Sequence, residues 1–117
     1  MGAASRRKGR QWESQLAAWL KDNGFPHAEM RSVGMAGSPD ITGIPCWTIE
    51  AKNRKRDGMA TALAEGIDQA THANRGPSLP VCIVKRPGKP DPADAYAVMT
   101  LRDWTRLARH WDGWESR

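Results

Sequence analysis

The chain has 117 residues, with 18 Lys and Arg against 13 Asp and Glu and a formal net charge of +5. That length is one domain's worth, and 39% hydrophobic with 26% charged residues excludes a wholly disordered chain. No apolar run is long enough to span a membrane, the basic start MGAASRRKGR lacks the apolar stretch of a secretory signal, and Arg6 stands where a myristoylation motif needs Ser or Thr.

In chain order, residues 1–9 are small and basic without periodicity and read as a flexible arm. A helix is predicted from Arg10, with Trp12, Leu16, Trp19 and Leu20 on one face and Asn23-Gly24 as its stop. Residues 27–33 alternate loosely as a first strand, 34–39 form a loop, and Asp40 to Ile44 is a short second strand. Cys46 to Lys52 is a third strand, and a charged loop follows at 53–58. Met59 to Asn74 reads as a helix with Met59, Leu63, Gly66, Ile67 and Ala70 as its apolar stripe. The near-continuous apolar run Leu79 to Lys85 suits a central strand covered on both faces. A Pro-rich loop spans 86–94 and Ala95 to Met99 forms a last strand. Thr100 then caps a final helix, with Asp103 three residues on and an apolar face of Leu101, Trp104, Leu107, Ala108 and Trp111. Helices and strands mix, with a meander first and a crossover later, so the expected class is α/β or α+β with a mixed sheet flanked by helices. Residues 10–117 are expected to form one domain.

Cys46 and Cys82 lie far apart without CxxC or Cys/His ligand spacing, which argues against a zinc site and fits a reducing cytoplasm. The six Trp supply core volume or a partner surface, and His27, His72 and His110 have no paired spacing. The informative stretch is Pro39-Asp40 followed ten residues later by Glu50-Ala51-Lys52. Glu50 and Lys52, two apart on a strand, share a face, while Ile49 and Ala51 take the other. A hairpin would bring Asp40 near Glu50. Two close carboxylates repel, and a hard cation such as Mg²⁺ or Mn²⁺ removes that cost. Such an ion can polarise a phosphate and activate water, while a nearby Lys52 stabilises developing charge. Taken singly, Glu50 and Lys52 read as an exposed ion pair and Asp40 as a turn cap. It is the joint pattern that favours a site.

These residues resemble the PD-(D/E)XK nuclease signature, and the order of elements resembles the αβββαβ core of that restriction-endonuclease-like superfamily. Glu13, within GRQWE, stands where many members, including the archaeal Holliday junction resolvases, carry a Glu on the first helix. Arg31-Ser32 and the Gly-rich loop before Pro39 look like the resolvases' segment leading into the Asp, and Gln69 looks like a polar helix residue some members use near the metal. The resemblance covers roughly residues 9–110. It implies a catalytic set of Glu13, Asp40, Glu50, Lys52 and Gln69, with Asp40, Glu50 and Glu13 holding Mg²⁺ or Mn²⁺, Glu13 directly or through water.

Basic residues group at Arg6, Arg7, Lys8 and Arg10, at Arg54, Lys55 and Arg56, at Lys85, Arg86 and Lys89, and along the last helix at Arg102, Arg106 and Arg109. The first two groups, with Arg31 and Ser32, are the expected DNA contacts, made to phosphates and therefore reading shape more than sequence. The expected activity is cleavage of four-way DNA junctions by a two-fold homodimer, as in short phage-encoded resolvases. The alternatives are a nuclease for other branched or linear DNA, and a DNA-binding module of the same fold without activity. A membrane-surface role is weakest, because no helix pairs a strong apolar face with a wholly basic one.

Overall fold

The computed structural model describes residues 3–31, 39–53, 59–73 and 78–110. Over them the chain runs α1 (Ala3–Asp22), β1 (Glu29–Met30), β2 (Ile41–Thr42), β3 (Trp47–Lys52), α2 (Met59–Ala73), β4 (Leu79–Val84), a 3-10 turn at Pro92–Asp94, β5 (Tyr96–Val98) and α3 (Leu101–Arg109). The strands form one mixed sheet in the order β1-β2-β3-β4-β5. β1, β2 and β3 are an antiparallel meander, β3 and β4 run parallel, and β5 returns antiparallel to β4. A parallel step needs a crossover longer than a hairpin, and α2 supplies it. The expected order of elements and the α+β class with helices flanking a mixed sheet are both observed.

Strand alternation assigns the two faces. Ile49 and Val81 join Trp12, Leu16 and Ala17 of α1 in the main core, with Ala51 and Ile83 packed against it. Trp12, 1% exposed, sits at the centre and directs its indole Nε1 to the Ile83 carbonyl at 3.5 Å. Burial of a side chain of that size contributes about 3 kcal/mol. The opposite face carries Glu50, Lys52 and Cys82 and is covered by α2, whose Gly66 lies directly on the Cys82 thiol and beside the Lys52 stem. Only the missing side chain at Gly66 permits that approach.

The structure differs from the sequence reading at several points. α1 already includes residues 3–9, ahead of the expected helix start at Arg10. Ala3, Ala4 and the long side chains of Arg6, Arg7 and Lys8 are strong helix formers, so propensity carries the helix where apolar periodicity is missing. The first two strands are only two residues each. β2 ends at Gly43, whose φ of 83° brings its α-carbon against the His27 carbonyl, where a β-carbon could not fit. β5 is trimmed by one residue at each end, and Asp91 caps a turn inside the Pro-rich loop by accepting from Ala93 N at 3.0 Å. Thr100 caps α3 as expected, accepting from Asp103 N at 3.2 Å. The apolar face of α3 is not buried: Leu101 is 75% exposed and Trp104 53%. Its polar side carries Arg102, Arg106 and Arg109, but Asp103, paired with Arg106 at 3.5 Å, keeps it from being wholly basic. Among the described residues, no helix is long and apolar enough to cross a membrane.

Candidate active site

Asp40 immediately precedes β2, and the Ile41–Ile49 pair ties it to β3. Its backbone N donates to Ile49 O at 3.0 Å, and its carboxylate Oδ2 accepts from Ala51 N at 2.9 Å. The Asp40 side chain therefore takes the place of a backbone acceptor in the ladder and is fixed on both sides of Glu50. Asp40 and Glu50 are each 6% exposed, so the reading of Glu50 as an exposed surface charge does not apply. The two carboxyls hydrogen-bond one another. Burial, followed by the hydrogen bond and the charge of Asp40, pushes Glu50 up to about 8, with Lys52 and Arg31 pulling the other way. At neutral pH the pair holds a proton.

Lys52 lies two residues on, on the same face and half-buried, close enough for its charge to act on both Glu50 and Cys82. Cys82 is the register partner of Glu50 on β4, is fully buried, and has its thiol pushed up to about 11, chiefly by desolvation. It is an inert wall of the site. Sequence reasoning did not place it there, because only the β3–β4 register brings it beside Glu50.

Two arginines expected on DNA are also part of the site. Arg31 follows β1, and its guanidinium approaches Asp40 Oδ1 at 3.6 Å. The Arg31 backbone N also donates to Asp40 O at 3.0 Å. Arg10 reaches from α1 to Glu13 at 3.3 Å and to the Arg31 carbonyl at 3.1 Å. Glu13 is half-buried on α1, and its carboxyl is raised by burial and by the charge of Asp40, against the pull of Arg10 and Arg31. The order is thus Glu13, Asp40, Glu50, with Asp40 in the middle and arginines along one side.

Among the described residues no three His, Cys, Asp or Glu side chains converge where one ion could touch them all. Glu13, expected as a third ligand, pairs with Arg10 at 3.3 Å. Gln69 is exposed on α2 and makes no hydrogen bond to the carboxyl pair. Arg6, Arg7 and Lys8 are exposed on the first turns of α1. Ser32, Arg54, Lys55 and Arg56 lie outside the described residues.

The donor set suits a hard cation. Two carboxyls in contact that must otherwise share a proton are a common anchor for Mg²⁺, which takes one or two protein carboxylates and completes its shell with water and phosphate oxygens. In comparisons with family models, curated proteins and solved structures, nothing matches this chain.

Proposed function

We propose that the chain is a divalent-metal-dependent DNA endonuclease of the PD-(D/E)XK type, hydrolysing phosphodiester bonds in four-way junctions. The observation that carries this reading is the buried Asp40–Glu50 carboxyl pair with Lys52 on the same strand face. Asp40 and Glu50 would hold Mg²⁺ or Mn²⁺, and Glu13 would complete the site directly or through water. When bound, such an ion supplies polarisation of a phosphate oxygen and acidification of water. The remaining steps belong to the chain. Ala51 N fixes the Asp40 carboxylate, α2 packs on Cys82 beside the Lys52 stem, and Lys52 would place a positive charge where negative charge grows on phosphorus. Arg31 neutralises Asp40 and gives a phosphate a second cation to approach. The exposed cations of α1 extend that positive field along the helix.

The test is incubation of the protein with labelled four-way junctions and duplexes in Mg²⁺ or Mn²⁺. Wild type is expected to place paired nicks in the junction and leave the duplex intact. Asp40→Asn keeps the Ala51 hydrogen bond and the fold but removes the charge that anchors the ion. It is expected to lose about a hundredfold or more in rate, the equivalent of about 3 kcal/mol. Cleavage by Asp40→Asn at the wild-type rate removes Asp40 from the chemistry. Cleavage of linear or other branched DNA in preference to the junction would move the substrate and keep the enzyme.

One feature favours a second reading. The Arg31 guanidinium already neutralises Asp40, as it would in a DNA-binding module that needs no ion. Tight junction binding in EDTA, with no cleavage in Mg²⁺, Mn²⁺ or Ca²⁺, would select that reading.

A further inference from the structure

The sheet face that carries Glu50 and Lys52 continues beyond β3. The parallel register sets Val84 beside Lys52, and the antiparallel register sets Tyr96 beside Val84. Register partners project to the same face, so Lys52, Val84 and Tyr96 form a row across three strands. With strands about 4.8 Å apart, Tyr96 stands about 10 Å from Lys52. Val84 is fully buried, while Tyr96, on the outermost strand β5, is 46% exposed.

The loop leaving β4 supplies the cation for that end of the row. Lys85 and Arg86 diverge to opposite sides of the sheet. Lys85 Nζ lies 5.9 Å from the Trp12 ring on the α1 side, and Arg86 Cζ lies 4.9 Å from the Tyr96 ring. The loop is tied to the site, because Lys85 N donates to Lys52 O at 2.9 Å. It is also braced internally: Lys89 N donates to Arg86 O at 3.1 Å, across a turn that Gly88 completes at a φ of 77°. The Arg86 guanidinium is therefore a flat cation held against an aromatic ring on a short, fixed loop.

A cation–π contact at an exposed position contributes about 0.5–1 kcal/mol, a modest gain for a fold. The chemical capacity of the pair is larger. A guanidinium plane backed by an aromatic ring stacks on any nucleobase, and its N–H donors pair with phosphate oxygens. Base faces are hidden in a duplex and open in an unpaired strand. We propose that Arg86 and Tyr96 form a stacking station for one unpaired nucleotide of a DNA strand, at the β5 edge of the sheet two strands across from Lys52. The preferred ligands are then DNAs that offer unstacked or single-stranded nucleotides. Cleavage of such DNA rests on the nuclease reading, whereas the binding itself does not require it.

The experiment separates the two. Anisotropy of a labelled single-stranded oligonucleotide and of a matched duplex is measured in EDTA with the full chain, across a salt series. A second oligonucleotide carries 2-aminopurine, whose fluorescence falls on stacking. Wild type is expected to bind the single strand and quench 2-aminopurine. Arg86→Ala/Tyr96→Ala is expected to bind the single strand about tenfold more weakly, with duplex binding unchanged. Arg86→Lys keeps the charge but not the plane. It is expected to keep the salt dependence and lose the quenching, a separation that a purely structural role of the pair would not produce. Tyr96→Phe is expected to behave as wild type, and circular dichroism melts check that each variant is folded. Wild-type affinity and quenching in the double variant overturn the proposal, as does equal loss on single strand and duplex. If wild type cuts no DNA while the variants still lose single-strand binding, the nuclease reading fails and the stacking station stands.

Discussion

A carboxyl that is 6% exposed and hydrogen-bonded to a second carboxyl must keep a proton or find a cation. Glu50 therefore links stability to pH in the sense opposite to an ordinary salt-bridged acid. Its value in the fold, about 8, lies above its ordinary 4.5, so the folded chain binds the proton more tightly than the unfolded one. The stabilisation is complete below about pH 4.5 and is lost as pH rises from there through about 8. Without divalent ions, the thermal midpoint is expected to fall across that window, by about 4 °C for each ~1 kcal/mol lost. Glu50→Gln, which cannot ionise, should remove most of the slope and leave the part owed to Glu13, whose carboxyl is raised by the same burial. A divalent ion favours the ionised pair, so Mg²⁺ or Mn²⁺ should raise the midpoint more at pH 8 than at pH 6. Calorimetry on wild type and Glu50→Gln checks both effects. Identical pH profiles for the two proteins would contradict the assignment of the proton to Glu50.

At the scale of elements, the contact between α2 and β4 sets how tightly the site is closed. Gly66 lies so near Cys82 that an added β-carbon would collide with the thiol. Gly66→Ala should gain helix propensity in α2 yet lose more to overpacking, for a net cost of about 1–2 kcal/mol. The double variant Gly66→Ala/Cys82→Ala should recover much of that loss, because removing the sulfur makes room for the methyl. Denaturant melts of the four proteins give the coupling directly, and purely additive effects would mean that the collision is relieved elsewhere. The same elements mark what was legible in the sequence. α2, β3, β4 and α3 carry long, clean periodic patterns and were readable to within a residue or two. β2 is shorter than its pattern suggests, because Gly43 and the following turn end it without any change in hydrophobicity. The start of α1 rests on propensity alone. In the site, the Asp40–Glu50–Lys52 grouping followed from strand alternation and a hairpin. The brace from Ala51 N, the Arg31 ion pair and the Cys82 wall depend on register and on contacts distant in sequence, which spacing does not encode.

For the molecule as a whole, α3 is the element that burial does not account for. It has no buried residue, and Leu101, Trp104 and Leu107 lie exposed along one stripe with Arg102, Arg106 and Arg109 along another. An exposed tryptophan beside two exposed leucines is costly in water and characteristic of the centre of a protein interface. A four-way junction presents equivalent strands in pairs, and a domain with one candidate site cuts both only by acting as a two-fold pair. If α3 forms that contact, its apolar stripe is covered by the second copy while its arginine stripe stays outside the contact. Light scattering should then give twice the 13.0 kDa chain mass. Trp104→Glu should shift the protein to the monomer and leave the thermal midpoint of the domain nearly unchanged at low concentration, because Trp104 contributes little to the core of its own chain. The monomer should still bind and nick one junction strand, but the second nick should lag the first by a separate binding event, visible in a supercoiled cruciform plasmid as accumulation of the open circle before the linear form. A monomeric wild type, or a Trp104→Glu variant that still linearises the plasmid in one encounter, would rule α3 out as the pairing surface.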